Sequence, residues 1–212
     1  MAGALLLLVW RTESYLPVFQ NNLTLWEATA KTCPTSAICH AGIGTALLES
    51  NQIERGMKEL IRAVEIRPTA ENLGRLGDAY TLNARDYRQA VIAYNLALEG
   101  GGASTATYSD VELYAKLARA HLMAGNLEEA GKAIQAGRAI NPNDPYLLIV
   151  SSFYESSRGN REAAIEAMRR ALSATGLNSG IPAFIYTYWG NAADVGRLIA
   201  YLNARPPQSA AH

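Results

Sequence analysis

The stretch "LMAGNLEEAGKAIQAGRAINP", residues 122–142, decides how the chain is read. Asn126, followed three residues later by Glu129, is a capping-box pair that starts a helix. Pro142 ends that helix, because proline cannot continue the hydrogen-bond ladder. Between the two lie Ala130, Ile134 and Gly137, two small residues flanking a bulky one.

The same arrangement recurs. Segments beginning at Ala37, Ala70, Val111 and Pro145 align, given one extra residue near Ala84 in the second. Three columns hold only small residues: Gly44, Gly77, Ala118 and Ser152; Gly56, Ala90, Ala130 and Ala164; Ala63, Ala97, Gly137 and Ala171. A fourth is bulky: Leu60, Tyr94, Ile134 and Met168. Antiparallel helices approach closely only where neither carries a large side chain, and the bulky column fills the gap beside the contact. Asn51 with Glu54 and Asp86 with Gln89 match the cap at Asn126, while Ser109 with Glu112 and Asp144 before Pro145 start first helices.

These segments resemble the tetratricopeptide repeat, a helix–turn–helix of about 34 residues. The resemblance implies an all-α, right-handed α-solenoid. Four repeats are expected within residues 35–176, at 37–68, 70–102, 111–142 and 145–176. The fourth departs most, with Ser151 and Glu155 where the family prefers large apolar residues. Residues 12–34 read as a half-repeat helix, with Trp26 in the bulky column and Pro34 in the terminal one. Residues 177–205 read as capping helices that cover the last apolar face, and 206–212 as a tail. The "EGGGASTATYSD" segment is a surface insertion, or a hinge or partner loop.

Composition fits one repeat domain with a real core: 212 residues, 49% apolar and 18% charged. Nineteen basic residues balance nineteen acidic ones, so no net field draws the chain to nucleic acid. Cys33 and Cys39 are read either as two small hydrophobes at a helix junction or as a disulfide, with the turn at Pro34 bringing them within reach. Together with His40 they are too few for a tetrahedral zinc site. His40 and His121 fall on inward helical positions and His212 is terminal. No nucleophile elbow, P-loop or zinc-protease helix is present, so the expectation is a non-enzyme without cofactor, metal or small-molecule substrate.

The opening "MAGALLLLVW" falls short of the ~20 apolar residues of a membrane span. It also lacks the basic start and cleavage site of a secretory signal. Residues 1–11 are therefore read as the end of a membrane helix, with Trp10 and Arg11 at the interface, or as an apolar helix buried against a partner. Residues 10–49, with Leu25, Trp26, Pro34 and Gly44, resemble the junction before the C-terminal repeats of O-mannosyltransferase-type membrane proteins. That resemblance implies a non-cytoplasmic, periplasmic repeat domain. It also supplies an alternative function, the soluble tail of a polytopic membrane glycosyltransferase. The alternative location is the cytoplasm.

The expected function is a non-enzymatic protein–protein scaffold at a membrane, within a larger complex. The tetratricopeptide resemblance implies a concave groove lined by first-helix residues: Arg75, Asp78, Glu112, Lys116, Arg119, Tyr146, Ile149 and Phe153. Asp78 and Glu112 would repel the terminal carboxylate that chaperone-binding members hold. A second partner-binding candidate is the aromatic run Phe184, Tyr186, Tyr188 and Trp189.

Overall fold

A computed structural model describes residues 21–100 and 110–174. The expectations for residues 1–11, for the aromatic run at 184–189, for the capping helices at 177–205 and for the Ser109 cap lie outside those residues. The chain forms two compact units, Met1–Tyr108 and Ser109–His212.

Among the described residues the structure is helical, without strands. The first unit holds α1 (Asn22–Ala30), α2 (Ala37–Glu49), α3 (Ile53–Ile66), α4 (Ala70–Ala79), a π-helical turn (Tyr80–Ala84) and α5 (Tyr87–Glu99). The second holds α6 (Asp110–Met123), α7 (Leu127–Ile140), α8 (Pro145–Ser157) and α9 (Arg161–Ala174). The helices pack as hairpins, α2 with α3, α4 with α5, α6 with α7, and α8 with α9. In the first unit α4 also packs on α2 and α3, and in the second α8 packs on α6 and α7.

Side-chain size explains the pairing. All sixteen residues of the four aligned columns are buried. At the α2–α3 crossing, a Cβ on Gly44 would lie 3.0 Å from the Gly56 carbonyl oxygen, and one on Gly56 would lie 2.9 Å from that of Gly44. The two backbones touch there, and Leu60 and Leu48 close over the contact. At the α4–α5 crossing the Tyr94 ring lies against Gly77, so that a Cβ would meet it at 2.5 Å. Leu60 and Ala63 of α3 form one core cluster with Ala41 of α2 and with Leu76 and Ala79 of α4. Burying a leucine of this kind contributes roughly 1.5–3 kcal/mol.

The extra residue of the second repeat has a definite form. Gly77 and Ala90 are thirteen positions apart, whereas the matching pairs in the other repeats are twelve apart. The chain absorbs the difference in the π-helical turn Tyr80–Ala84, a wider turn that takes in one more residue without breaking the helix. The seam therefore keeps its register on both sides.

Each hairpin turns through a left-handed residue five positions before its second small column: Asn51 (φ 59), Arg85 (φ 54), Gly125 (φ 80) and Gly159 (φ 79). In three of them a Schellman pair satisfies the last carbonyls of the first helix. The Gln52 N–H donates to Leu47 O, Asn126 to His121 O and Asn160 to Glu155 O, each at 2.8 Å. This geometry corrects two sequence expectations. Asn51 is the left-handed residue, so Gln52 takes the N-cap place, its side chain accepting from Arg55 Nη1 rather than from a helix N–H, and the Asn51–Glu54 capping box does not form. Asn126 is an N-cap, but its side chain makes no cap bond, and Glu129 accepts from Lys132 Nζ at 2.7 Å instead. Asp86 and Asp144 do cap, accepting from the N–H groups of Gln89 and Leu147. Ser151, polar where an apolar residue was expected, is buried and donates to Leu147 O at 2.7 Å.

The turns yield opposite expectations at equivalent positions. Gly125→Ala places a Cβ in the left-handed region and should cost about 1 kcal/mol. Arg85→Gly removes that penalty at the price of some unfolded-state entropy, and should stabilise by about 0.5 kcal/mol. Urea denaturation of both variants checks the two signs.

Candidate partner-binding groove

In the second unit α6 and α8 lie side by side and enclose a small cavity of about 10 Å³, the space of a single water. Glu112, Ala115, Lys116 and Arg119 line it from α6, and Tyr146, Ile149 and Val150 from α8. The spacings of three and four place each set on one helical face. Five of the expected residues are thus brought together: Glu112, Lys116, Arg119, Tyr146 and Ile149. Phe153 follows one turn further along α8 and is buried. Ala115 and Val150 were missed in the sequence, although the same helical spacing points to them.

The groove is not an open charged trough. Lys116 and Arg119 are 6% and 2% exposed, while Glu112 and Tyr146 are half-buried. Lys116 Nζ stands 3.4 Å from Glu112 Oε1, one turn earlier on the same helix. A charge removed from water needs a partner of this kind. The half-buried Glu112 and Tyr146 are the lip of the groove, and the apolar floor is Ile149 with Val150.

Arg75 and Asp78 belong to α4 in the other unit. Arg75 Nη2 pairs with Glu71 Oε1 at 2.8 Å. Asp78 Oδ1 accepts a 2.7 Å hydrogen bond from the Tyr94 hydroxyl, and that hydroxyl also lies 3.4 Å from Thr81 Oγ1. Asp78 therefore secures the polar end of the aromatic ring packed on Gly77, a role the sequence did not reveal.

A second hollow, of about 690 Å³, runs along α3 and is lined by Ile53, Met57, Glu59 and Arg62 among others, with His40 at its rim. His40 bridges two elements: Nδ1 lies 2.7 Å from Glu59 Oε2, and Nε2 lies 3.1 Å from the Pro34 carbonyl. Cys33 and Cys39 are joined by a disulfide, with Cα atoms 6.6 Å apart. Among the described residues no group of three or more His, Cys, Asp or Glu side chains converges.

His121, at the end of α6, has a pKa held below the ordinary histidine value because burial disfavours its charged form. The nearby Glu129 carboxylate opposes that shift. The buried Nδ1 has no hydrogen-bond partner among the described residues.

No protein-family model matches the sequence, and no curated protein matches it. Solved structures do match. MamA superposes with a TM-score of 0.57 at 18% identity, over 71% of this chain and 85% of that one. PilW, described as a type IV pilus biogenesis factor, superposes at 0.65 with 15% identity, over 93% and 91% of the two chains. YrrB, described as a tetratricopeptide-repeat protein with an unusual peptide-binding site, superposes at 0.56 with 15% identity, over 86% and 93%. The likeness shows the fold, that of tetratricopeptide-repeat proteins.

The lowered His121 pKa has a signed consequence. The unfolded state binds the histidine proton more readily than the folded one, so stability falls as pH drops below the ordinary histidine value of about 6.5. Thermal melts between neutral pH and about pH 5 should show this fall, and His121→Gln should reduce it.

Proposed function

We propose that this chain is a non-enzymatic scaffold that holds one protein against another, with its opening apolar stretch at a membrane. The observation that carries the reading is the tetratricopeptide-repeat fold, with Glu112, Lys116, Arg119, Tyr146 and Ile149 of two first helices converging on one place. Half-buried Glu112 and Tyr146 are the residues of this set that a partner protein would reach, packing over them rather than entering the cavity below. The small residues of both helices meet at the hairpin seams, and the candidate binding residues stand on other faces of the first helices. YrrB, a structure of the same fold, is described as having a peptide-binding site, which supports a protein ligand.

The membrane half of the reading rests on residues 1–11, since no helix among the described residues is long and apolar enough to cross a membrane. The Cys33–Cys39 disulfide supports an oxidising compartment and hence the periplasmic side. The aromatic run at Phe184, Tyr186, Tyr188 and Trp189 is proposed as a second contact with the partner.

Affinity purification from native membranes tests the scaffold reading. The tagged chain should retain a defined partner set, and Glu112→Arg with Tyr146→Ala should lose part of it while circular dichroism is unchanged. An identical set from wild type and variant would refute the groove. Recovery of the whole chain in the detergent-free soluble fraction would refute the membrane contact.

A further inference from the structure

Helix α1 is unlike the others. It is nine residues long and contains no buried residue. Helices shorter than about 12–15 residues are marginal in water unless packing holds them. Its N-terminus is well capped, with Thr24 N–H donating to Asn21 Oδ1 at 2.9 Å and Asn21 N–H to Thr24 Oγ1 at 3.3 Å. A cap alone does not dock a helix.

Among the described residues it packs mainly on α2, with Leu23, Thr24, Trp26, Ala28, Thr29 and Ala30 partly covered and none buried. The Trp26 ring lies flat on Gly42 of α2, so closely that a Cβ there would be 2.3 Å from it. Trp26 occupies the bulky column, yet it remains half-buried, whereas Leu60, Tyr94, Ile134 and Met168 are almost wholly covered. Asn22 Nδ2 reaches Glu49 Oε2 at 3.2 Å, in an exposed position. The remaining attachments lie just beyond the other end of α1. The Cys33 N–H donates to Ala30 O at 3.2 Å, so this residue rides on the last turn of the helix. Its sulfur is bonded to that of Cys39, which is buried in the first turn of α2. Next to the disulfide, His40 faces the Pro34 carbonyl.

We propose that the Cys33–Cys39 disulfide is a redox-released clasp: closed, it keeps α1 seated on α2; opened, it lets α1 leave and uncovers the Gly42 seat. The chemistry is thiol–disulfide exchange with a dithiol reductant. A thiolate of the reductant attacks Cys33 Sγ, the more accessible sulfur, and the Cys33–Cys39 bond breaks. Cys39 leaves as a thiolate and takes a proton. The second thiol of the reductant then displaces Cys33 from the mixed disulfide. Two electrons and two protons pass to the chain, which ends with two thiols, and the reductant ends as its own disulfide. Among the described residues α1 then keeps its partial cover on α2, including Trp26 on Gly42 and the exposed Asn22–Glu49 bond, which with no buried residue does not hold so short a helix.

Hydrogen exchange on the full-length protein tests the clasp, with and without dithiothreitol, and with thiols titrated in each state. Reduction should lower protection over residues 22–30 about tenfold or more and leave α3 and α7 unchanged. Cys33→Ser with Cys39→Ser should reproduce the reduced pattern without reductant. In a chain carrying Trp10→Phe and Trp189→Phe, Trp26 emission should shift to the red on reduction. Equal protection over 22–30 in the oxidised, reduced and doubly substituted proteins would overturn the proposal. So would a loss spread evenly over the whole unit, or two free thiols before any reductant is added.

Discussion

The contact between the Gly44 and Gly56 backbones sets the terms for the first hairpin, and in the other three the equivalent places hold small buried residues, Gly77 with Ala90, Ala118 with Ala130 and Ser152 with Ala164. A carbonyl oxygen about 3 Å from the place of a missing Cβ leaves no room for a side chain on either helix. Once two helices are that close, the residue one turn along must be large enough to fill the space beside them, and Leu60, Tyr94, Ile134 and Met168 do so. The same closeness fixes the turns. A helix that reverses within two or three residues needs one left-handed residue, and all four hairpins place it at the same distance from the seam.

The second hairpin shows how strongly the seam is held. Its bulky residue is a tyrosine, which brings a hydroxyl into the interior. Asp78 and Thr81 receive that hydroxyl, and the π-helical turn that starts at Tyr80 follows directly. An insertion there could have slipped the register of the whole pair. The chain widened one turn instead, and Ala90 and Ala97 still meet their places, both buried. An unsatisfied buried hydroxyl would cost about 1–3 kcal/mol, so the polar contacts belong to the packing solution.

Much of this was legible in the sequence, because side-chain volume is written there directly. The columns of glycine, alanine and serine gave the helix pairs, and the prolines gave their ends. The turn geometry was harder to read. Two of the four left-handed residues are Asn51 and Arg85, and Asn51 also looks like a cap. A backbone dihedral has no signature when the residue is not glycine. The groove was partly legible: helical spacing brought Glu112, Lys116, Arg119, Tyr146 and Ile149 to one place. The burial of Lys116 and Arg119 was not, since a charged residue reads as surface and its cover depends on tertiary packing rather than on its own helix. The bond from Tyr94 to Asp78 joins residues sixteen apart and leaves no local pattern.

The central claim is that backbone contact between Gly44 and Gly56, rather than general apolar burial, defines the first hairpin. Replacing Gly44 by leucine tests it most directly, because the change adds apolar surface while blocking the contact. Equilibrium urea unfolding should show a loss of about 1–3 kcal/mol or more, from overpacking against the Gly56 carbonyl. An unchanged or raised midpoint would show that the helices do not depend on touching there, and would contradict the account.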